Sequence, residues 1–253
     1  MRPPRGFLLL VASLGCLTPL ARATVDSLVR EGLAAEAQLD TRRALELFLD
    51  AEKSRPDDAA VLRKIARLYS DLSLDLGDPA EQRKMVERAL DYSRRAVAAD
   101  PSNAEGVLCL AVCYGKLALQ GGARDRVRYS RMVREETVRA LSLDPGYAWA
   151  HHLLGRWNHE VSALSTTARV VVRVFYGGLP DASTAEAVKH LKRAVELEPS
   201  QLQHQLELGF AHLANNEPEQ ARAAFAAGLA MPSREKHDEP AKVRARAALA
   251  QLP

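Results

Sequence analysis

Along most of this chain, apolar residues recur every three or four positions, and each such run stops at a proline. The runs read Ala44-Leu45-Glu46-Leu47-Phe48-Leu49-Asp50-Ala51 ahead of Pro56, the stretch from Ala89 to Asp100-Pro101, Val138-Arg139-Ala140-Leu141-Ser142-Leu143-Asp144-Pro145, and Leu191-Lys192-Arg193-Ala194-Val195-Glu196-Leu197-Glu198-Pro199, with a shorter echo ending at Met231-Pro232. That spacing puts the apolar side chains on one face of an α-helix, and a proline, lacking an amide hydrogen, halts it. No segment has the strict alternation of a half-buried strand. Val170-Val171-Val172 is β-branched, but its neighbours point to an apolar helical insert packed on the rest. The pattern predicts an all-α stack of helical hairpins.

The five prolines stand at intervals of 45, 44, 54 and 33 residues. The last is close to the roughly 34-residue tetratricopeptide unit, and the others match it once about 11, 10 and 20 residues are set aside as insertions between the paired helices of repeats two, three and four. First helices then begin near Val25, Ala59, Ala104, Ala148 and Leu202, and the eighth position of each is small: Gly32, Ala66, Ala111, Gly155 and Gly209. Small residues there, and Ala44, Ala89, Ala187 and Ala221 in the second helices, let two helices approach closely. The fold class expected is a tetratricopeptide-like right-handed solenoid of about five repeats. The insertions should lengthen its helices. Gly77-Asp78-Pro79 opens one that runs to Ala99, Gly121-Gly122 opens one ending near Leu143, and Gly177-Gly178-Leu179-Pro180-Asp181 precedes one over residues 183–198. Residues 241–252 read as the capping helix that a solenoid end requires.

Residues 1–5 are basic, and residues 6–20 form an apolar stretch of the length of a signal-peptide core, too short for a comfortable membrane span. Ala21-Arg22-Ala23 then has the small-x-small pattern of a cleavage site. Residues 1–23 are expected to be a signal peptide and residues 24–253 an exported domain, periplasmic or secreted. The Arg-rich start, free of acids up to Asp26, also fits a mitochondrial presequence. Cys16 follows Ser13-Leu14-Gly15, which lacks the aliphatic residue of a lipoprotein box. Loss of Arg2, Arg5 and Arg22 takes the formal charge from +3 to zero, which speaks against a nucleic-acid partner.

Neither Gly-x-Gly-x-x-Gly, Gly-x-x-x-x-Gly-Lys, His-Glu-x-x-His nor Gly-x-Ser-x-Gly occurs, so the chain is expected to be non-enzymatic and to need no cofactor. Cys109 and Cys113 lie four apart on one helix, a poor geometry for a disulfide, and read as small packing residues. No metal site is expected at His151, His152 and His159, because no further ligand completes one on the same face.

The string His152-Leu153-Leu154-Gly155-Arg156-Trp157, then Glu160-Val161-Ser162 and Leu164-Ser165, then Phe175 with Gly177 and Pro180, resembles the signature of the regulator of microtubule dynamics family over residues 61–229. The resemblance implies a tetratricopeptide-like fold and association with microtubules, which requires that the leader not be secretory. For membrane-anchored members it also implies organelle contact and phospholipid binding or transfer.

In tetratricopeptide proteins the second, fifth, ninth and twelfth positions of each first helix face the concave groove. In repeat four these are Trp149, His152, Arg156 and His159, and in repeat two they include Arg63, Arg67 and Ser70. Cations over an apolar floor suit an amphipathic ligand with an acidic end. The leading expectation is a partner protein or peptide in this groove. The alternative is a phospholipid there, with residues 161–176 as a lid. His152 and His159 would strengthen capture of an acidic ligand as pH falls through about 6.5. Trp157 falls outside the groove set and reads as packing. Six arginines, Arg124, Arg126, Arg128, Arg131, Arg134 and Arg139, form a second basic feature that suits an anionic membrane surface.

Overall fold

The computed structural model describes residues 19–252, so most of the expected signal sequence lies outside the described residues. Within that range the chain forms α1 (Pro19–Ala37), α2 (Thr41–Ser54), α3 (Ala59–Ser73), α4 (Pro79–Ala99), α5 (Ala104–Gln120), α6 (Ala123–Leu143), α7 (Ala148–Ser162), α8 (Thr166–Tyr176), α9 (Thr184–Leu197), α10 (Leu202–Ala214), α11 (Pro218–Ala230) and α12 (Asp238–Leu249). Among the described residues there is no strand, and no helix is long and apolar enough to cross a membrane. The expected cleavage point after Ala23 falls inside α1.

The helix starts follow from short polar side chains that satisfy free amides. Asp58 accepts from the amides of Ala60 and Val61, Asn103 from Gly106, Asp78 from Ala80, and Ser183 from Glu186. Pro79 and Pro218 sit in the first turns of α4 and α11, where no amide donor is missed. First helices begin at Ala59, Ala104, Ala148 and Leu202, as the repeat spacing predicts.

The pairs are α1 with α2, α3 with α4, α5 with α6, α7 with α9, and α10 with α11, a stack of five hairpins. First helices stack on one another, α3 beside α5 and α7 beside α10, and make the inner layer. The small positions are where the two layers touch. Ala44, Ala89, Ala187 and Ala221 are wholly buried. A Cβ on Gly155 would stand 2.6 Å from Leu191 Cγ, and one on Gly209 2.5 Å from the Phe225 ring. Trp157 is buried as expected, its indole nitrogen donating to the Ser130 carbonyl at 2.8 Å. Cys113 is buried against Ser93, Cys109 is half-buried, and neither forms a disulfide.

The insertions resolve in two ways. Those of repeats two and three lengthen α4 and α6 to 21 residues each. That of repeat four breaks off as α8 instead, because Ser165 opens a new helix by accepting from Ala168 N and Gly177 ends it in the left-handed region at φ 75°. The Gly178 amide completes this end on the Val172 carbonyl, 3.0 Å away. α8 is helical, but it buries no residue and touches the outer helix α6. The expectation that it packs into the stack or lies over the groove as a lid is therefore corrected.

The capping helix starts at Asp238 rather than Ala241. The Asp238 carboxylate is buried and collects the amides of Arg234 and Glu235 at 2.8 Å each and Gln203 Nε2 at 3.1 Å, fixing the turn before it. Ala245 then seals the last apolar cluster with Leu202, Leu206, Ala221 and Phe225. The same turn reaches back across the molecule, where Lys236 pairs with Asp75, just past the end of α3.

Candidate functional site

The inner wall is built by α1, α3, α5, α7 and α10, and its charged side chains mostly bridge one hairpin to the next. Glu36 at the end of α1 receives Lys64 Nζ at 2.7 Å and also Arg67, both from α3. Arg63 of α3 pairs with Glu105 of α5. Arg156 of α7 pairs with Glu160 at 3.0 Å on its own helix and lies 3.8 Å from Glu207 of α10, which also receives Arg244 of α12. Arg244 in turn stacks over Phe210 at 4.7 Å. Arg63, Arg67 and Arg156 are therefore neutralised within the fold, mostly by acids on neighbouring helices, pairings that no spacing within one helix announces. Arg67 remains half-exposed at its side chain.

At the fourth repeat, the wall is aromatic. Trp149 is half-buried, with its ring centroid 5.0 Å from that of His152 and 4.7 Å from that of His204. His152 is only 5% exposed, and its Nδ1 lies 3.0 Å from Nδ1 of the fully buried His204. Burial, with smaller contributions from His204, Arg156 and Arg244, pushes the His152 pKa well below its ordinary value. His204 is lowered to about 4, also by burial. The expectation that His152 faces a ligand and charges near pH 6.5 is corrected. It is a neutral ring in the seam between α7 and α10. His159, one turn past Arg156, is half-buried.

A second polar cluster joins the far ends of α3 and α5 to the turn before α12. Asp71 has its pKa raised by burial, against the opposing pull of Lys116, Arg67, His237 and Lys236. Lys116 reaches the Ser70 carbonyl, and burial lowers its pKa. Tyr147 has its hydroxyl pKa raised by burial and then by Glu105 and Cys109. Burial raises Cys109 to about 12 and Cys113 to about 11, so both stay protonated thiols. Shallow depressions lie along α4 around Tyr92 and between α9 and the turn at Glu217, and none of the six expected groove residues lines either one. Among the described residues no group of three His, Cys, Asp or Glu is placed to hold a metal.

The basic helix α6 is mostly engaged. Arg128 pairs with Asp125 at 3.1 Å and covers Tyr129 at 4.5 Å, Arg134 lies 5.7 Å over Trp157, and Arg139 pairs with Glu136 at 3.3 Å. Arg131 Nε donates to the Gly178 carbonyl at 2.9 Å, and its guanidinium also reaches the Tyr176 carbonyl, pinning the end of α8. A Cβ on Gly177 would stand 3.2 Å from that guanidinium. The Gly-x-x-Pro turn thus makes room for the Arg131 anchor.

The family described as Regulator of microtubule dynamics protein 1-3 matches residues 23–253. Regulator of microtubule dynamics protein 3 of Xenopus laevis is 29% identical over 158 residues, covering 62% of this chain and 34% of that protein. Protein 1 of Bos taurus is 25% identical over 162 residues, covering 64% of this chain and 50% of its own length. Protein 1 of Caenorhabditis elegans is 24% identical over 212 residues, covering 82% of this chain and 93% of that protein. The chain thus spans about a third to a half of the length of the first two. Among solved structures, a thermophilic TPR protein of Thermus thermophilus superposes with a TM-score of 0.67 at 23% identity, over 89% of this chain and 99% of that one, a likeness of fold.

Proposed function

The chain belongs to the regulator of microtubule dynamics family, and from that premise we propose that it is a non-enzymatic scaffold whose inner wall recognises a partner protein or peptide. The observation that carries this reading is the wall at repeat four, where half-buried Trp149 packs on His152 and His204, and Arg156, two turns further along α7, stands between Glu160 and Glu207. Tryptophan and arginine dominate recognition hot spots, since they combine large contact area with directional donors. Because the wall's own carboxylates already hold its cations, the ligand is a segment that exchanges ion pairs with them rather than a bare anion. Phospholipid carriage in this groove, the alternative reading, has less to support it: the wall is lined by charged pairs, and α8 touches the outer layer.

The family's name makes polymerised tubulin the first partner to try. Export through residues 1–23 and contact with tubulin exclude each other, so sequencing the amino terminus of the protein from its native host decides which compartment applies. Co-sedimentation with polymerised tubulin then compares the wild type with Trp149→Ala/Arg67→Glu on the inner wall and Val138→Ser on the outer helix α6. Loss with the inner-wall variant alone supports the reading. Equal sedimentation of all three rejects the wall as the contact.

A further inference from the structure

The feature of the molecule that the inner wall does not use is α8. Its eleven residues bury nothing, and four large apolar side chains stand open: Val170 is 56% exposed, Val171 41%, Val174 68% and Phe175 73%. At 100° per residue these four fall on one face. Ala168, Val172 and Tyr176 recur at i, i+4 and i+8 on the opposite side, are half-buried, and turn toward the stack. The apolar stripe therefore points away from the protein, with Arg173 along its flank, while Arg169 lies beside Tyr176 on the side nearer the stack. A helix with its apolar face in solvent and arginines beside it has the build of an interfacial helix.

Charge says what covers it. Residues 161–180 contain two arginines and no Asp or Glu. Arg169 donates from Nε to the Leu164 carbonyl at 3.0 Å and from Nη2 to the Ser162 carbonyl at 2.6 Å. Arg131 of the adjacent α6 likewise binds the carbonyls of Tyr176 and Gly178. A carbonyl satisfies the donors and leaves the full positive charge in place. Among the described residues Arg173 forms no ion pair, and Arg124, which shares the stripe of Arg131 on α6 at i and i+7, forms none either. Arg173 on α8 and Arg131 at its end therefore leave positive charge beside the exposed apolar stripe, with Glu135, one turn past Arg131 on α6, as the nearest acid on that face. A second copy of the chain seated α8 against α8 would oppose Arg173 to Arg173 with no acid on either α8, which disfavours a symmetric dimer there.

We propose that α8 is a membrane-docking element: Val170, Val171, Val174 and Phe175 enter the interface of an anionic lipid surface, while Arg173 on the flank of the stripe and Arg131 at the end of α8 face its headgroups. This site lies on the outer layer and stands independently of the inner-wall reading.

The test uses the full chain carrying Phe175→Trp, so that the signal comes from α8 itself and not from the apolar residues near the amino terminus. Vesicles of phosphatidylcholine with and without phosphatidylserine are titrated, reading tryptophan emission as a difference from the wild type, with quenching by lipids brominated in the acyl chain. The expected result is a blue shift and quenching with phosphatidylserine present. Arg173→Glu should weaken apparent binding by at least about tenfold, and Val174→Ser should reduce the quenching. No shift with anionic vesicles overturns the proposal, as does an equal shift with both compositions or one that charge reversal leaves unchanged. A shift that appears with protein concentration alone assigns the face to a second copy. One that appears only with polymerised tubulin assigns it to a protein. Either of these also overturns the proposal.

Discussion

His152 on α7 and His204 on α10 meet with their Nδ1 atoms 3.0 Å apart, both buried. A neutral pair shares one proton in that contact; adding a second turns two N–H groups toward each other. His204 Nε2 lies 3.6 Å from Glu198, and Arg156 and Arg244 add positive potential near His152. Both histidines have folded-state pKa values below the ordinary 6.5, with His204 at about 4. Below pH 6.5 the unfolded chain then binds more protons than the folded one, so stability is full above that pH and falls as pH drops toward about 4. For His204 alone the loss approaches about 3 kcal/mol at the acid end. Urea melts between about pH 7.5 and 4.5 check this. His204→Gln should flatten the slope, and an unchanged slope would place the acid sensitivity elsewhere.

Glycines of one repeat type should respond oppositely to alanine. A methyl group on Gly155 would meet Leu191 Cγ at 2.6 Å and the Ala187 carbonyl at 3.1 Å, and Leu191 is itself fully buried. Gly155→Ala is expected to cost about 1–3 kcal/mol through overpacking. On α5, the nearest neighbour of a Cβ on Gly115 is Val133 Cγ2 at 3.8 Å, an ordinary contact. Gly115→Ala should gain up to about 1 kcal/mol from helix propensity. Thermal melts of the two variants test the opposite signs.

Arg131 holds the end of α8 through the Tyr176 and Gly178 carbonyls. Since α8 buries no residue of its own, this anchor carries much of its docking. Arg131→Ala should accelerate amide exchange across residues 166–178 while leaving α7 and α9 protected. Protection in α8 equal to wild type would show that other contacts suffice.

The repeat phase was legible because it is written locally. Prolines follow the helix ends, Gly77-Asp78-Pro79 marks a helix start, and Gly155 and Gly209 mark the tight contacts. Membership of α8 in the helical class was legible too, but its exposure was not. An apolar face reads the same in sequence whether a neighbour covers it or not. The candidate wall divides the same way. Position along α7 put Trp149, His152, Arg156 and His159 on one face. What His152 meets there depends on how α10 stacks, and its partner His204 sits 52 residues on. The ion pairs of Arg63 and Arg67 cross between hairpins, so no spacing rule within one helix announces them.

The longest-range of these links gives the last prediction. Lys236 and Asp75 are 161 residues apart, and their pair ties the turn before α12 to the end of α3. Both side chains are about one-third exposed, so the pair contributes about 0–1 kcal/mol to global stability. Its larger effect is on motion, since the turn is otherwise held only on the side of α10 and α12, by Asp238, by Gln201 donating to Glu235 and by Ser233 donating to Glu239. Lys236→Glu sets like charges together and should raise amide exchange in residues 233–237 and 74–76, with the melting temperature almost unchanged. Raising the salt concentration should loosen the wild-type turn in the same direction, because a partly exposed pair is screened. Exchange rates in both segments that respond to neither the substitution nor salt would show that the contacts of Asp238, Gln201 and Glu239 suffice to fix the turn.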